Sequence, residues 1–116
     1  MVIAFDYDGT VTEDGSYPGA GALDPCAVEA LRRIKELGHR LILFTCREGE
    51  ALKVALSALQ AAGISVDAVN AQVPGLEAFG RKPYADLYVD DRSWPQIEKR
   101  HIDWEQLLAW LETAAP

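Results

Sequence analysis

The chain has 116 residues, 49% of them apolar and 25% charged, and 18 acidic against 11 basic residues leave a formal net charge of −7. That length and composition predict one globular domain spanning 1–116, with a real core. The negative field opposes non-specific binding to nucleic acid, no apolar run approaches the about 20 residues needed to span a membrane, and the N-terminus lacks the basic start and long apolar stretch of a signal peptide. A cytoplasmic protein is the expectation, and Cys26 and Cys46, which have no framework spacing, are expected to be free thiols.

Val2-Ile3-Ala4-Phe5 is a run of four apolar residues that includes β-branched Val and Ile, and it predicts a buried strand. It delivers Asp6-Tyr7-Asp8-Gly9-Thr10 at its end. Residues 9–24 are rich in turn formers and predict a loop or small hairpin flap, about 11–24. Asp24-Pro25 then reads as an N-cap followed by proline at the first helical position. The helix runs to Leu37 with Val28, Leu31 and Ile34 (and Ala27, Ala30) on its apolar face, and Gly38 stops it.

Arg40 to Thr45 predicts the second strand, ending in Thr45-Cys46-Arg47. A helix from about Glu48 to Ala62 follows, stopped by Gly63, with Glu48 and Glu50 suited to the positive end of its dipole. Ile64 to Val69 predicts a third strand and Ala71 to Gly80 a loop. Asp86 to Val89 predicts the fourth strand, terminating in Asp90-Asp91. A short strand at His101-Ile102 and a last helix from about Trp104 to Ala114 complete the chain. Strands alternating with helices imply an α/β, Rossmann-like doubly wound fold: a mostly parallel sheet with helices on both faces.

In such sheets ligands bind beyond the carboxyl ends of the strands. Three strands here end in chemistry: Asp6 and Asp8 on the first, Thr45 on the second, Asp90 and Asp91 on the fourth, with Lys82 just upstream. Converging carboxylates repel by several kcal/mol even at an effective dielectric of about 20. A hard divalent cation with oxygen ligands, Mg²⁺ above all, relieves that repulsion. A lysine and a hydroxyl beside it suit the oxygens of a phosphoryl group. One carboxylate can then attack phosphorus while a second moves the proton of the leaving alcohol.

With these residues in order, the chain resembles the haloacid dehalogenase superfamily of phosphohydrolases. Its four motifs correspond to Asp6-Tyr7-Asp8-Gly9-Thr10, Leu41-Ile42-Leu43-Phe44-Thr45, Lys82, and Leu87-Tyr88-Val89-Asp90-Asp91, so the resemblance covers Val2 to about Asp91. It implies a Mg²⁺-dependent phosphomonoester hydrolase. Asp6 would be the nucleophile that forms an aspartyl-phosphate, and Asp8 the general acid and then base, with its backbone carbonyl on the metal. Thr45 and Lys82 would hold the phosphoryl oxygens, Lys82 also countering the charge of Asp6. Asp90 would ligate the metal, and Asp91 would ligate it or hold its waters. Thr10 is the residue phosphatases of this kind place after the glycine.

Larger members of that superfamily carry a cap domain. Residues 11–44 and 46–81 provide 34 and 36 positions between motifs, already consumed by the flap, helices and strands. The chain therefore resembles the capless branch, whose open sites suit macromolecular substrates or are covered by a neighbouring subunit in a homo-oligomer. The phosphorylated substrate itself, small or macromolecular, is not specified.

Arg47, Arg81 and Arg92 lie beside motif residues and are candidates to bind a second anionic group. Arg47 is preferred because it follows Thr45. Cys46 is not a phosphatase nucleophile, since those enzymes place an arginine where Leu52 stands here. Tyr7 is expected to face away from its two aspartates into the core or flap. Tyr17 is a candidate substrate contact, and Trp94, Trp104 and Trp110 are read as packing residues. The competing reading is a non-hydrolytic phosphoacceptor, like a receiver domain, but receivers put their acidic pair first and their lysine last, whereas an acidic pair here follows Lys82.

Overall fold

The computed structural model describes residues 1–13, 16–77, 80–94 and 101–114. Positions 14–15 of the expected flap and 78–79 of the expected 71–80 loop lie outside the described residues.

Strand β1 (Val2–Phe5) is buried at all four positions, as an unbroken apolar run requires of a strand covered on both faces. It is flanked on one side by β2 (Arg40–Leu43) and on the other by β4 (Leu87–Val89), and β3 (Ala68–Val69) pairs with β2. All pairings are parallel and the order is β3-β2-β1-β4. The expected Rossmann-like, doubly wound α/β architecture is therefore present. Its direction reverses beside β1, and that is where the first and fourth strand ends lie together.

Helix α1 (Pro25–Glu36) starts as its sequence dictates: the Asp24 carboxylate accepts from Cys26 N at 2.9 Å and Pro25 takes the first helical position. It buries Ala27, Ala30, Leu31 and Ile34. Helix α2 (Gly49–Ala61) buries Ala51, Ala55 and Leu59, and α3 (Trp104–Thr113), capped by the Asp103 carboxylate on Gln106 N, buries Trp104 and Leu111. Side chains from all three helices join one cluster with Ile3, Phe5, Leu41 and Leu43. The opposite face, carrying Val2, Ala4 and Ile42, is covered by Val73 and Ala85 of the β3–β4 connection. Among the described residues that second face is covered by this connection, which the sequence reads as a loop, and not by one of the three helices.

Two strand ends differ from the sequence reading by more than one residue, and one expected strand is absent among the described residues. β2 stops at Leu43, because Thr45 N is bonded to the Asn70 side chain and the Thr45 hydroxyl accepts from Arg47 N, which takes the chain out of the ladder. β3 begins only at Ala68, since Ile64 N closes the end of α2 onto Leu59 O and the Asp67 backbone and carboxylate are committed to Leu41. His101-Ile102 forms no strand: Ile102 is a core residue leading into the Asp103 cap. Of the tryptophans only Trp104 is in the core, whereas Trp94 is 81% exposed and Trp110 49%.

Cys26 and Cys46 are both free, as expected. The radius of gyration is 13.3 Å, that of a close-packed chain of this length. No helix among the described residues is long and apolar enough to cross a membrane.

Candidate active site

The parallel ladder carries its polar residues to one edge. Asp6 N donates to Val89 O at 3.0 Å, so β1 and β4 end side by side and Asp6 stands next to Asp90. One carboxylate oxygen from each of Asp6, Asp90 and Asp91 lies within 4.8 Å of the others. Burial pushes the Asp6 carboxyl up to about 7; the Tyr7 backbone N–H opposes this, and the charges of Asp90, Asp91 and Asp8 add to it. Such a group is poorly solvated and surrounded by its own sign of charge, the condition a bound cation relieves. An all-carboxylate donor set suits a hard ion, Mg²⁺ or Ca²⁺, rather than zinc.

Two neighbours set the position of Asp91. The Thr10 hydroxyl donates to Asp91 Oδ1 and accepts from Asp91 N, both at 3.1 Å, and all these atoms are buried. Gly9 has φ +78°, and a Cβ there would stand 2.6 Å from Asp91 Oδ2. Only glycine satisfies both the conformation and the approach. The Trp104 indole in turn donates to Thr10 O at 3.2 Å, tying this turn to α3. The sequence reading noticed Thr10 but not its bond to Asp91, for which residue order carries no signal.

Asp8 and Arg47 are bound to each other. The Asp8 carboxylate is not part of the acidic triad; it is gripped at both oxygens by Arg47 Nε and Nη2. All five side-chain N–H groups of Arg47 are engaged within the chain, which corrects the expectation that Arg47 binds an anionic group of the substrate. Its side chain is 1% exposed, and its remaining N–H groups donate to Pro18 O, Gly19 O and Ala51 O. The guanidinium lies over the Tyr7 and Tyr17 rings, 4.7 and 5.2 Å from their centres. Tyr7 faces into the core as expected, its hydroxyl donating to Ala20 O in the flap. Tyr17, the candidate substrate contact, is exposed on its outer side and lies over Arg47.

Thr45 lines the same cavity of ≈ 500 Å³ as Asp6, Asp8, Asp90, Asp91 and Arg92. Its hydroxyl accepts from Arg47 N, which leaves its proton free to donate. Asn70, with φ 49°, adopts the left-handed conformation that asparagine tolerates and accepts from Thr45 N at 2.7 Å. Lys82 shares a smaller cavity of ≈ 190 Å³ with Asp6, Asp90 and Ser93. It makes no ion pair with Asp6; its ammonium rests over the Tyr88 ring, 4.4 Å from the centre. The pairing of Lys82 with Asp6 expected from the resemblance is therefore absent among the described residues.

The chain is similar to a solved structure described as that of a conserved protein coded by a locus from Bacteroides thetaiotaomicron. The two are 39% identical, the match covers 97% of this chain and 89% of that one, and the TM-score is 0.83. No protein-family model matches the chain. No curated protein matches it either.

Proposed function

We propose, from the premise that the chain belongs to one family with the conserved Bacteroides thetaiotaomicron protein, that it is a Mg²⁺-dependent phosphomonoesterase of the haloacid dehalogenase type, acting through Asp6. The observation that carries this reading is the convergence of Asp6, Asp90 and Asp91 at the ends of neighbouring strands, with Thr45 and Lys82 in the adjoining cavities. Asp6, Asp90 and Asp91 would hold the ion, which when bound supplies charge neutralisation for the carboxylates and the phosphoryl oxygens.

In the first step a carboxylate oxygen of Asp6 bonds to phosphorus as the bond to the leaving oxygen breaks, and Asp8 gives that oxygen a proton. In the second, water attacks the phosphorus of the aspartyl-phosphate, Asp8 takes up its proton, and phosphate leaves with Asp6 regenerated. Asp8 enters this chemistry by giving up one of its two Arg47 donors and taking from water, on the oxygen so freed, the proton it delivers in the first step and regains in the second, while the Thr45 hydroxyl and the Lys82 ammonium hold the phosphoryl oxygens. The substrate is a phosphorylated compound that reaches a site without a cap domain, or one covered by a second copy of the chain. The charge of −7 argues against nucleic acid, and the two free, exposed thiols favour a cytoplasmic setting.

The test is release of phosphate from an aryl phosphate with Mg²⁺, abolished by EDTA and by Asp6→Asn. Turnover that survives Asp6→Asn sinks the reading. A phospho-Asp6 that persists for minutes without hydrolysis favours the phosphoacceptor alternative.

A further inference from the structure

Lys82 belongs to the connection between β3 and β4, not to a helix or strand. A lysine stem has considerable rotamer freedom to lose before its ammonium can serve a site. The restraint comes from β4, through one side chain. The Tyr88 ring lies under the Lys82 ammonium. Its hydroxyl donates to Pro83 O at 2.6 Å and accepts from Ala85 N at 3.0 Å. Tyr88 therefore holds the lysine head through its ring face and the backbone just after the lysine through its hydroxyl. Phe44 braces the ring, with 6.4 Å between centres and 59° between planes. Gln72 secures the residue in between, donating to Tyr84 O at 3.0 Å and accepting from Tyr84 N at 2.9 Å. Phe44 and Tyr88 also wall the cavity that Lys82 shares with Asp6.

We propose that Tyr88 is a positioning residue for Lys82, holding its ammonium at the mouth of the Asp6 site by cation–π contact and fixing the Lys82–Ala85 backbone through its hydroxyl. This rests on the phosphatase reading of Asp6. Tyr88 contacts no reacting atom in that scheme; it acts through the lysine. The ring restrains the ammonium without neutralising it, which a carboxylate partner would do, so the full charge stays available to an incoming phosphate.

A double-mutant cycle on kcat/KM tests the proposal, with thermal unfolding confirming that each variant folds. Lys82→Ala should lower kcat/KM about a hundredfold, the loss usual for one charge-stabilising contact. Tyr88→Leu should lower it about five- to tenfold, and Tyr88→Phe, which keeps the ring, about two- to threefold. In the Lys82→Ala background both Tyr88 changes should alter kcat/KM by less than about twofold, because a residue that acts through a partner has nothing left to act on. Inhibition by inorganic phosphate should weaken in the same pattern. Multiplicative losses in the double variants, or unchanged kcat/KM in Tyr88→Leu, would overturn the positioning role while leaving the phosphatase reading intact. A wild-type protein that neither hydrolyses aryl phosphates nor binds inorganic phosphate would overturn both.

Discussion

Arg47 and Asp8 form a two-point ion pair, with Nε donating to Oδ2 and Nη2 to Oδ1, both at 2.8 Å. The same guanidinium holds the flap at Pro18 O and Gly19 O and the first turn of α2 at Ala51 O. A buried arginine with all five N–H groups engaged is a hub: it connects the carboxylate assigned to proton transfer with the segment that overhangs it. Removing it leaves three carbonyls and a partly buried carboxylate without their donor. Arg47→Met should therefore destabilise the fold by about 3–5 kcal/mol, the usual effect of breaking a buried pair from one side. Arg47→Lys should recover part of this, because one ammonium cannot reproduce the fork. Urea denaturation measures both.

Gly9→Ala addresses the approach of the first turn to Asp91. A methyl group at that position meets Asp91 Oδ2 at 2.6 Å, in a backbone conformation that disfavours side chains. The substitution should cost about 1–2 kcal/mol through backbone strain and also push Asp91 out of the triad. Calorimetric titration with Mg²⁺ should show affinity reduced at least about tenfold, the effect typical of disturbing the groups behind metal ligands. An unchanged affinity would mean that Asp91 is not needed for the ion.

Thr10→Val removes the hydroxyl that both donates to and accepts from Asp91, while keeping the shape. It should weaken Mg²⁺ binding about 10- to 100-fold, and Thr10→Ser should restore most of it. If valine and serine behave alike, the hydroxyl does not orient Asp91.

At the opposite edge of the sheet, Asp67 and Asp86 play matching parts. Each stands just before its own strand and accepts from the backbone N–H of the neighbouring one: Asp67 from Leu41 at 2.8 Å, Asp86 from Val2 at 2.7 Å. Burial raises the Asp67 carboxyl, but the Lys35 ion pair at 2.7 Å and the Leu41 N–H outweigh it, and the net shift is downward. The Val2 N–H, helped by Tyr84, lowers Asp86 in the same direction. A carboxyl lowered in the folded state contributes stability that is present above its unfolded value and lost as the pH falls through the folded one. Asp67→Asn should thus reduce unfolding free energy by about 1 kcal/mol at pH 7, and the gap from wild type should close as the pH falls through the lowered folded-state value, below the ordinary carboxylate range. A gap of equal size at pH 7 and pH 2.5 would contradict the assignment.

Much of this protein was legible because its signals are local. The apolar run of β1, the Asp24-Pro25 start of α1 and the Asp90-Asp91 pair after β4 each act within a few residues, so reading them requires no knowledge of what lies opposite. The strand-end rule gathers Asp6, Asp8, Asp90 and Asp91 on one edge of a parallel sheet; of these four, Asp6, Asp90 and Asp91 form the triad and Asp8 turns to Arg47. The weak elements were the ones whose backbone serves another segment: Thr45 leaves β2 to meet Asn70, and Asp67 shortens β3 to reach Leu41.

The sequence by itself determined the order of the strands' chemistry and the gathering of carboxylates at the strand ends. Only the tertiary structure decided the partners of the long and the polar side chains. Arg47, two residues after Thr45, turns inward because Asp8, two tyrosine rings and three carbonyls together desolvate and satisfy it, which no exposed anion site offers. Lys82, expected against Asp6, rests on Tyr88 because the connection that carries it is secured there. A side chain that reaches several ångströms takes its partner from whatever packing brings within range, and that is set by contacts between residues far apart in the chain.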